Sequence, residues 1–144
     1  MAPEAWGVSG AIDPSLSWCD NAPLTVTGTN GTAIGDGFGN TAALFAAGCG
    51  TGQRGSDAAA AVLAYPGTDG SAGQWFLPSK DELNAMYGYK SSIVDTAKYG
   101  LANVNYWGSS QFDPFTAWFQ FFGDGIQGNA NKNYPLRVRP VRAF

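Results

Sequence analysis

Histidine is absent from these 144 residues, and cysteine occurs only at Cys19 and Cys49. A Ser-His-Asp triad is therefore impossible, and without a CxxC pair a zinc site has no ligand set. The two cysteines allow either one disulfide or two buried thiols. Asp81 and Glu82 suit the first turn of a helix, where its dipole favours carboxylates, better than an acid–base pair. Asp113 and Asp124 have the chemistry of a facing carboxylate pair, as glycoside hydrolysis needs, but nothing around them favours convergence. Asp36, Asp113, Asp124 and Asn129 offer some of the roughly six to eight oxygens that calcium takes, without a contiguous ligand motif. Gly35-Asp36-Gly37-Phe38-Gly39-Asn40 lacks the spacing of a phosphate loop and reads as turns. These residues point away from an enzyme.

Binding chemistry is better represented, and it concentrates in residues 106–144. Tyr106, Trp107, Ala117, Trp118, Gln120, Phe122, Gly125, Gln127, Lys132 and the closing Arg137–Phe144 read as a skeleton. Between them lie Phe112, Asp113, Pro114, Phe115, Thr116, Phe119, Phe121, Gly123, Asp124, Ile126, Gly128, Asn129, Ala130, Asn131, Asn133, Tyr134 and Leu136. A surface mixing aromatic anchors with small polar residues suits recognition of another macromolecule.

Ala117–Phe122 carries that contrast in one strand. Side chains alternate between faces, so Trp118, Gln120 and Phe122 share one and Ala117, Phe119 and Phe121 the other. Both faces are aromatic. The strand is either buried on both sides or presents one side to a partner, and the polar, Asn- and Gly-rich stretch Gly123–Leu136 favours the second reading.

The elements that must position these residues are legible in part. Ser79-Lys80-Asp81-Glu82 is a capping box, which predicts a helix over Lys80–Tyr89 after a short strand at Gln74–Leu77. Ser56-Asp57 opens an alanine-rich helix that Tyr65-Pro66-Gly67 stops. Thr41–Gly48 suits a short helix capped by Asn40 or Thr41. Trp6–Gly10, Leu16–Cys19 and Leu24–Thr27 read as short strands or loops. Tyr106–Ser109, Ala117–Phe122 and Arg137–Arg142 read as strands, joined by Ser110–Thr116 and Gly123–Leu136. Arg137, Arg139 and Arg142 then alternate along the last strand, paired with carboxylates or covering apolar surface.

Twenty glycines and only 13% charged residues favour a loop-rich α+β domain over a helical bundle. The length suits one domain, 1–144, with N-terminal strands and loops over 1–33. A net charge of −3 argues against nucleic acid as a partner. No apolar run approaches the ~20 residues of a membrane span, so direct membrane insertion is not expected. Met1-Ala2-Pro3-Glu4 lacks the basic start and apolar run of a signal peptide, and the abrupt start reads as the C-terminal portion of a longer protein.

Four blocks taken together carry a family resemblance: Trp75–Tyr87, YWGSSQ at 106–111, the Ala117-Trp118-x-Gln120-x-Phe122 pattern and the terminal RVRPVRAF. Over roughly residues 34–144 the chain resembles the variable proteins of diversity-generating retroelements. Their C-type-lectin-like fold is shared with formylglycine-generating enzymes. The resemblance implies an α+β domain with two short helices, antiparallel strands and long loops, and a variable binding face at the C-terminal end. In such proteins an error-prone reverse transcriptase randomises adenine positions in selected codons, so the residues between the skeleton positions are those expected to vary. Asn129, Asn131 and Asn133 are similar to unmutated template asparagines, while Gly108 departs from the serine more usual there. The resemblance further implies a protein or surface-glycan ligand of variable identity, no obligatory cofactor, and a parent protein on a cell surface or phage particle. It turns Trp118, Gln120 and Phe122 toward the scaffold, and Phe119 and Phe121 toward the ligand. The cysteines lie too far toward the N-terminus to match a formylglycine-generating site. The alternatives are a fixed calcium-dependent carbohydrate-binding domain and a purely structural domain of a surface or phage protein.

Overall fold

The computed structural model describes residues 1–49 and 56–143; Phe144 of the closing motif lies outside them. The described residues form a mixed α+β structure with four α-helices and a five-stranded sheet. Helix α1 spans Gly37–Ala46, α2 Asp57–Ala64, α3 Lys80–Tyr89 and α4 Thr96–Tyr99. Two more helices are present than the resemblance implies.

Where caps are encoded locally, the helices follow the sequence. Ser79 Oγ accepts from the Glu82 N–H at 3.3 Å, and Glu82 Oε2 accepts from the Ser79 N–H at 2.7 Å, completing the capping box of α3. Ser56 Oγ accepts from the Ala59 N–H and caps α2, which ends before Tyr65-Pro66. Helix α1 differs from its expectation. It starts at Gly37, and neither Asn40 nor Thr41 caps it. Asn40 Nδ2 donates to Gly31 O, and the Thr41 hydroxyl donates to Gly37 O and accepts from Leu77 N–H. A Cβ on Gly37 would sit 2.2 Å from Glu82 Oε2 and 2.7 Å from Leu77 O. Glycine is needed there so that the start of α1 can abut the start of α3, and this packing overrides its poor helix propensity.

The strands are β1 Ser15–Leu16, β2 Asn105–Gln111, β3 Thr116–Phe121, β4 Gln127–Asn131 and β5 Leu136–Arg137, in the order β1-β5-β2-β3-β4. Strands β2, β3 and β4 form an antiparallel meander, and β5 runs parallel to β2. Of the segments expected as short strands or loops, Val8–Gly10 is a 3₁₀ turn and Leu24–Thr27 a loop that joins no ladder. Other strand expectations need correction. Gln74–Leu77 contributes only one bridge, Phe76 to Val141. Arg137–Arg142 is not a continuous strand: Pro140 has no N–H to give to a ladder, and Arg139 turns fully inward. Strand β4 was expected to be a connection, because Gln-Gly-Asn-Ala-Asn has little intrinsic strand preference; its ladder with β3 is what extends it.

Two apolar clusters flank the sheet. One gathers Trp18, Leu44, Val62, Leu77, Trp107, Ala117 and Val138. The other lies under α3 and holds Leu83, Leu101, Tyr106 and Phe122. Cys19 and Cys49 form a disulfide with Cα atoms 4.8 Å apart. The late arginines divide. Arg139 makes a buried bidentate pair with Asp13, at 2.5 and 2.7 Å. Arg142 pairs with Asp69 at the surface, and Arg137 donates to the carbonyls of Ile12 and Asp13.

Candidate ligand-binding face

Strand β3 is the axis of the C-terminal region, and its two sides are covered by different layers. Trp118, Gln120 and the following Phe122 face α3, whereas Ala117 and Phe119 face the larger cluster. Phe122 is fully buried against Tyr87 and Tyr106. Gln120 is buried as well, its Nε2 donating to Asn84 Oδ1 and Gly125 O. Gln127 Nε2 donates to Lys80 O. The two glutamines thus bind the meander to α3. Gly125 takes φ +85°, and a Cβ there would lie 2.3 Å from the Tyr87 ring, so the β3–β4 turn requires glycine.

The two ends of β3 carry the expected binding residues. At one end the β2–β3 turn presents Phe112, Pro114 and Phe115, with Asn131, Asn133 and Tyr134 beside it on the chain leaving β4. At the other, Gly123, Asp124 and Ile126 are exposed on the β3–β4 turn. Phe112, Phe115, Ile126 and Tyr134 are 50%, 56%, 64% and 53% exposed, on turns at the two ends of the meander. Asn129 is exposed midway along β4, paired in register with Trp118.

Other expected binding residues are set back. Phe119, Ala130 and Leu136 are partly buried and pack against the larger cluster, so Phe119 is in part a core residue. The Phe119 ring lies over Gly128, 3.1 Å from where a Cβ would be. Phe121 is half-buried, with its ring beside Gly123. The expected division of β3 into a scaffold side and a ligand side is thus blurred. Trp118, assigned to the scaffold, is only half-buried, with Lys80 Nζ 5.1 Å above its ring and Phe112 edge-on to it. Trp118 and Lys80 thus adjoin the candidate face, where the sequence reading had no place for Lys80. The capping box located Lys80 at the start of α3, but nothing in the chain told that β3 passes beneath it.

Two carboxylates hold turns. Asp113 Oδ1 accepts from the N–H groups of Phe115 and Thr116 and from the Thr116 hydroxyl, at 2.8, 2.7 and 2.9 Å. Desolvation raises its pKa, but the bonds from Thr116 and Phe115 outweigh it and hold the carboxyl below the ordinary range. Asp124 Oδ1 accepts from the Ile126 N–H. The two sit beyond opposite ends of a six-residue strand, a span of about 20 Å. They do not converge, either as a carboxylate pair or as shared calcium ligands. Asp36 is engaged elsewhere, accepting from Ala33 N–H at the start of α1.

Lys132 anchors the end of the face that carries Phe115 and Tyr134. It is fully buried, donates to Leu24 O at 2.7 Å and Gln111 Oε1 at 2.6 Å, and sits 4.8 Å above the Trp18 ring. Its backbone N–H donates to Phe115 O, and its carbonyl accepts from Trp18 and Cys19. Burial pulls the ammonium down to about 8, with Asp113 opposing the shift. The disulfide at Cys19 fixes the segment on which Lys132 rests.

A separate groove of about 950 Å³ lies between α1, α3 and the C-terminal segment, lined by Ile34, Phe38, Phe76, Met86, Tyr89 and Ile93 among others. Glu82, on its wall, is committed to the capping box. Among the described residues no three Cys, His, Asp or Glu side chains gather as a metal site would require. No helix among them is long and apolar enough to cross a membrane. Comparison with models of protein families, with curated proteins and with solved structures found no match.

Proposed function

We propose that the chain is a ligand-binding module of C-type-lectin-like fold, whose C-terminal face is diversified by retroelement mutagenesis to recognise varied macromolecular ligands. One observation carries this reading. Four large apolar side chains, Phe112, Phe115, Ile126 and Tyr134, stand exposed on turns whose backbones are held by buried or locally bonded groups. Side chains that can change on a frame that does not is the arrangement a variable site needs. The polar neighbours Asn129, Asn131 and Asn133 supply adaptable donors and acceptors around the aromatic anchors. Phe119 and Ala130, being packed on the core, tolerate a narrower range of replacements than Phe112 or Asn133.

The test is to sequence the DNA downstream of the Phe144 codon. The expected result is a near-copy of the segment encoding 106–144, differing at adenines, together with a reverse-transcriptase gene. Differences should be densest at the exposed turn positions. Absence of the copy, with an identical sequence in every isolate, would sink the diversification and leave a fixed domain.

A further inference from the structure

Among the described residues strand β4 is an edge, with β3 on one side only. The register determines which of its backbone groups are spent. Phe121 N–H donates to Ile126 O, and Lys132 N–H donates to Phe115 O, both at 2.9 Å. These two bonds bracket the ladder, and hydrogen-bonded pairs alternate along it. Gly128, opposite Phe119, and Ala130, opposite Ala117, therefore bond inward to β3. Gln127, Asn129 and Asn131 direct their backbone N–H and C=O away from the sheet. Among the described residues, Asn131 O accepts from Tyr134 N–H, and no bond from outside the ladder reaches the backbone of Gln127 or Asn129.

Native edges are usually blunted by proline, charge, a bulge or extreme shortness. None of these occurs in Gln127–Asn131: the pairing with β3 is unbroken over five residues, and the strand carries neither proline nor charge. On one side of the edge, Gly128 lies under the Phe119 ring, and Ala130 packs beside it against the larger cluster, so that side presents a flat apolar surface. On the other side, Asn129 and Asn131 are exposed beside Trp118 and Thr116. Exposed Ile126 and Tyr134 stand at the two ends.

We infer that the partner is a polypeptide presenting an extended segment, which adds to the sheet as a further strand along β4. The inference rests on the reading of the C-terminal face as a binding site and names what that face takes. Main-chain bonds to Gln127, Asn129 and Asn131 supply an affinity common to every variant, because no side-chain change short of proline removes them. Side chains on the two sides of the edge supply the choice of partner. A diversified site gains from this division: its residues can vary without forfeiting all affinity.

The experiment selects short linear peptides from a displayed random library against the whole chain. Amide exchange of the complex with a selected peptide is then followed by NMR. The expected result is slowing by about tenfold or more at the Gln127, Asn129 and Asn131 amides. Asn129→Pro removes the outward N–H and spares the inward bonds of Gly128 and Ala130; it should weaken the selected peptide about tenfold beyond the loss in Asn129→Ala, which removes the same amide side chain but keeps that N–H. If Asn129→Pro melts the domain, the exchange data decide alone. Peptides that perturb Phe112, Phe115 and Tyr134 while the edge amides exchange freely would overturn strand addition and keep the face. Peptides that bind only elsewhere, or a library yielding nothing while a glycan array gives binding, would overturn strand addition as well. Binding confined to the groove beside Phe38 and Met86 would count against the face itself.

Discussion

The rings of Phe112 and Trp118 meet edge to face, with centroids 5.1 Å apart and planes at 79°. This contact joins an exposed turn residue to a half-buried strand residue that also lies beneath the Lys80 ammonium. It makes the face continuous from the β2–β3 turn to the start of α3. Truncating Phe112 to Ala removes one half-exposed ring and should cost about 1 kcal/mol or less. Phe115→Ala should behave alike. Phe119→Ala should cost more, about 2–3 kcal/mol, because its ring packs on the larger cluster. Urea denaturation of the three variants separates the cases, and equal losses would mean the two sides of β3 are not distinguished.

The disulfide closes a loop with a sequence separation of 30. Constraint of the unfolded chain by a loop of that size is worth about 3–4 kcal/mol. Cys19→Ser with Cys49→Ser should lower stability by that order and loosen the chain around Lys132, whose carbonyl accepts from Cys19 N–H. Exchange at the Phe115–Asn133 amides should accelerate before global unfolding. A double variant as stable as the parent would show that the bridge holds nothing.

Asp13 and Arg139 are buried together, and Asp13 also accepts from the Tyr106 hydroxyl and the Trp6 indole. Arg139 further donates to carbonyls of Ala2 and Gly100, tying both ends of the chain to the segment after α4. Asp13→Ala leaves a guanidinium buried without its carboxylate and should cost about 3–5 kcal/mol. Asp13→Ala with Arg139→Met should recover part of that loss. A double-mutant cycle measures the coupling, and full additivity would deny the pair any joint role.

Lys132 supplies a pH signature. Its ammonium is pulled to about 8 by burial in the fold, from an unfolded value of 10.5. Between those values the unfolded chain holds a proton that the folded chain has released, so stability rises with pH. Below about 8 both states are protonated and the slope vanishes. The rise should be at most about 1.4 kcal/mol per pH unit and absent in Lys132→Met. Above about pH 10 Tyr106 acts oppositely: burial, then the charge of Asp13, hold its phenol neutral in the fold while the unfolded tyrosine ionises. Denaturation curves from about pH 8 to 10 isolate the lysine, and parallel curves for parent and variant would show that it keeps its proton.

Legibility in the sequence followed the range of the interactions. The capping box at Ser79 and the cap at Ser56 act within three residues, and both helices begin where those residues place them. Asn40 and Thr41 had the chemistry of caps but spend it on Gly31, Gly37 and Leu77. Strand β4 carried no signal of its own, since its residues are small and polar and only pairing with β3 extends them.

The sequence by itself determined the absence of histidine chemistry, the starts of α2 and α3, and a C-terminal stretch where aromatics and asparagines alternate with a skeleton. Only the tertiary structure decided which aromatics are free. Alternation placed Phe119 opposite Trp118, but it could not tell that the larger cluster claims Phe119 while α3 leaves Trp118 half open. It likewise decided that Asp113 and Asp124 stand at opposite ends of β3, and that β4 ends the sheet. Burial and edge exposure depend on which distant segments arrive alongside, and that is a property of the packed chain rather than of any local run of residues.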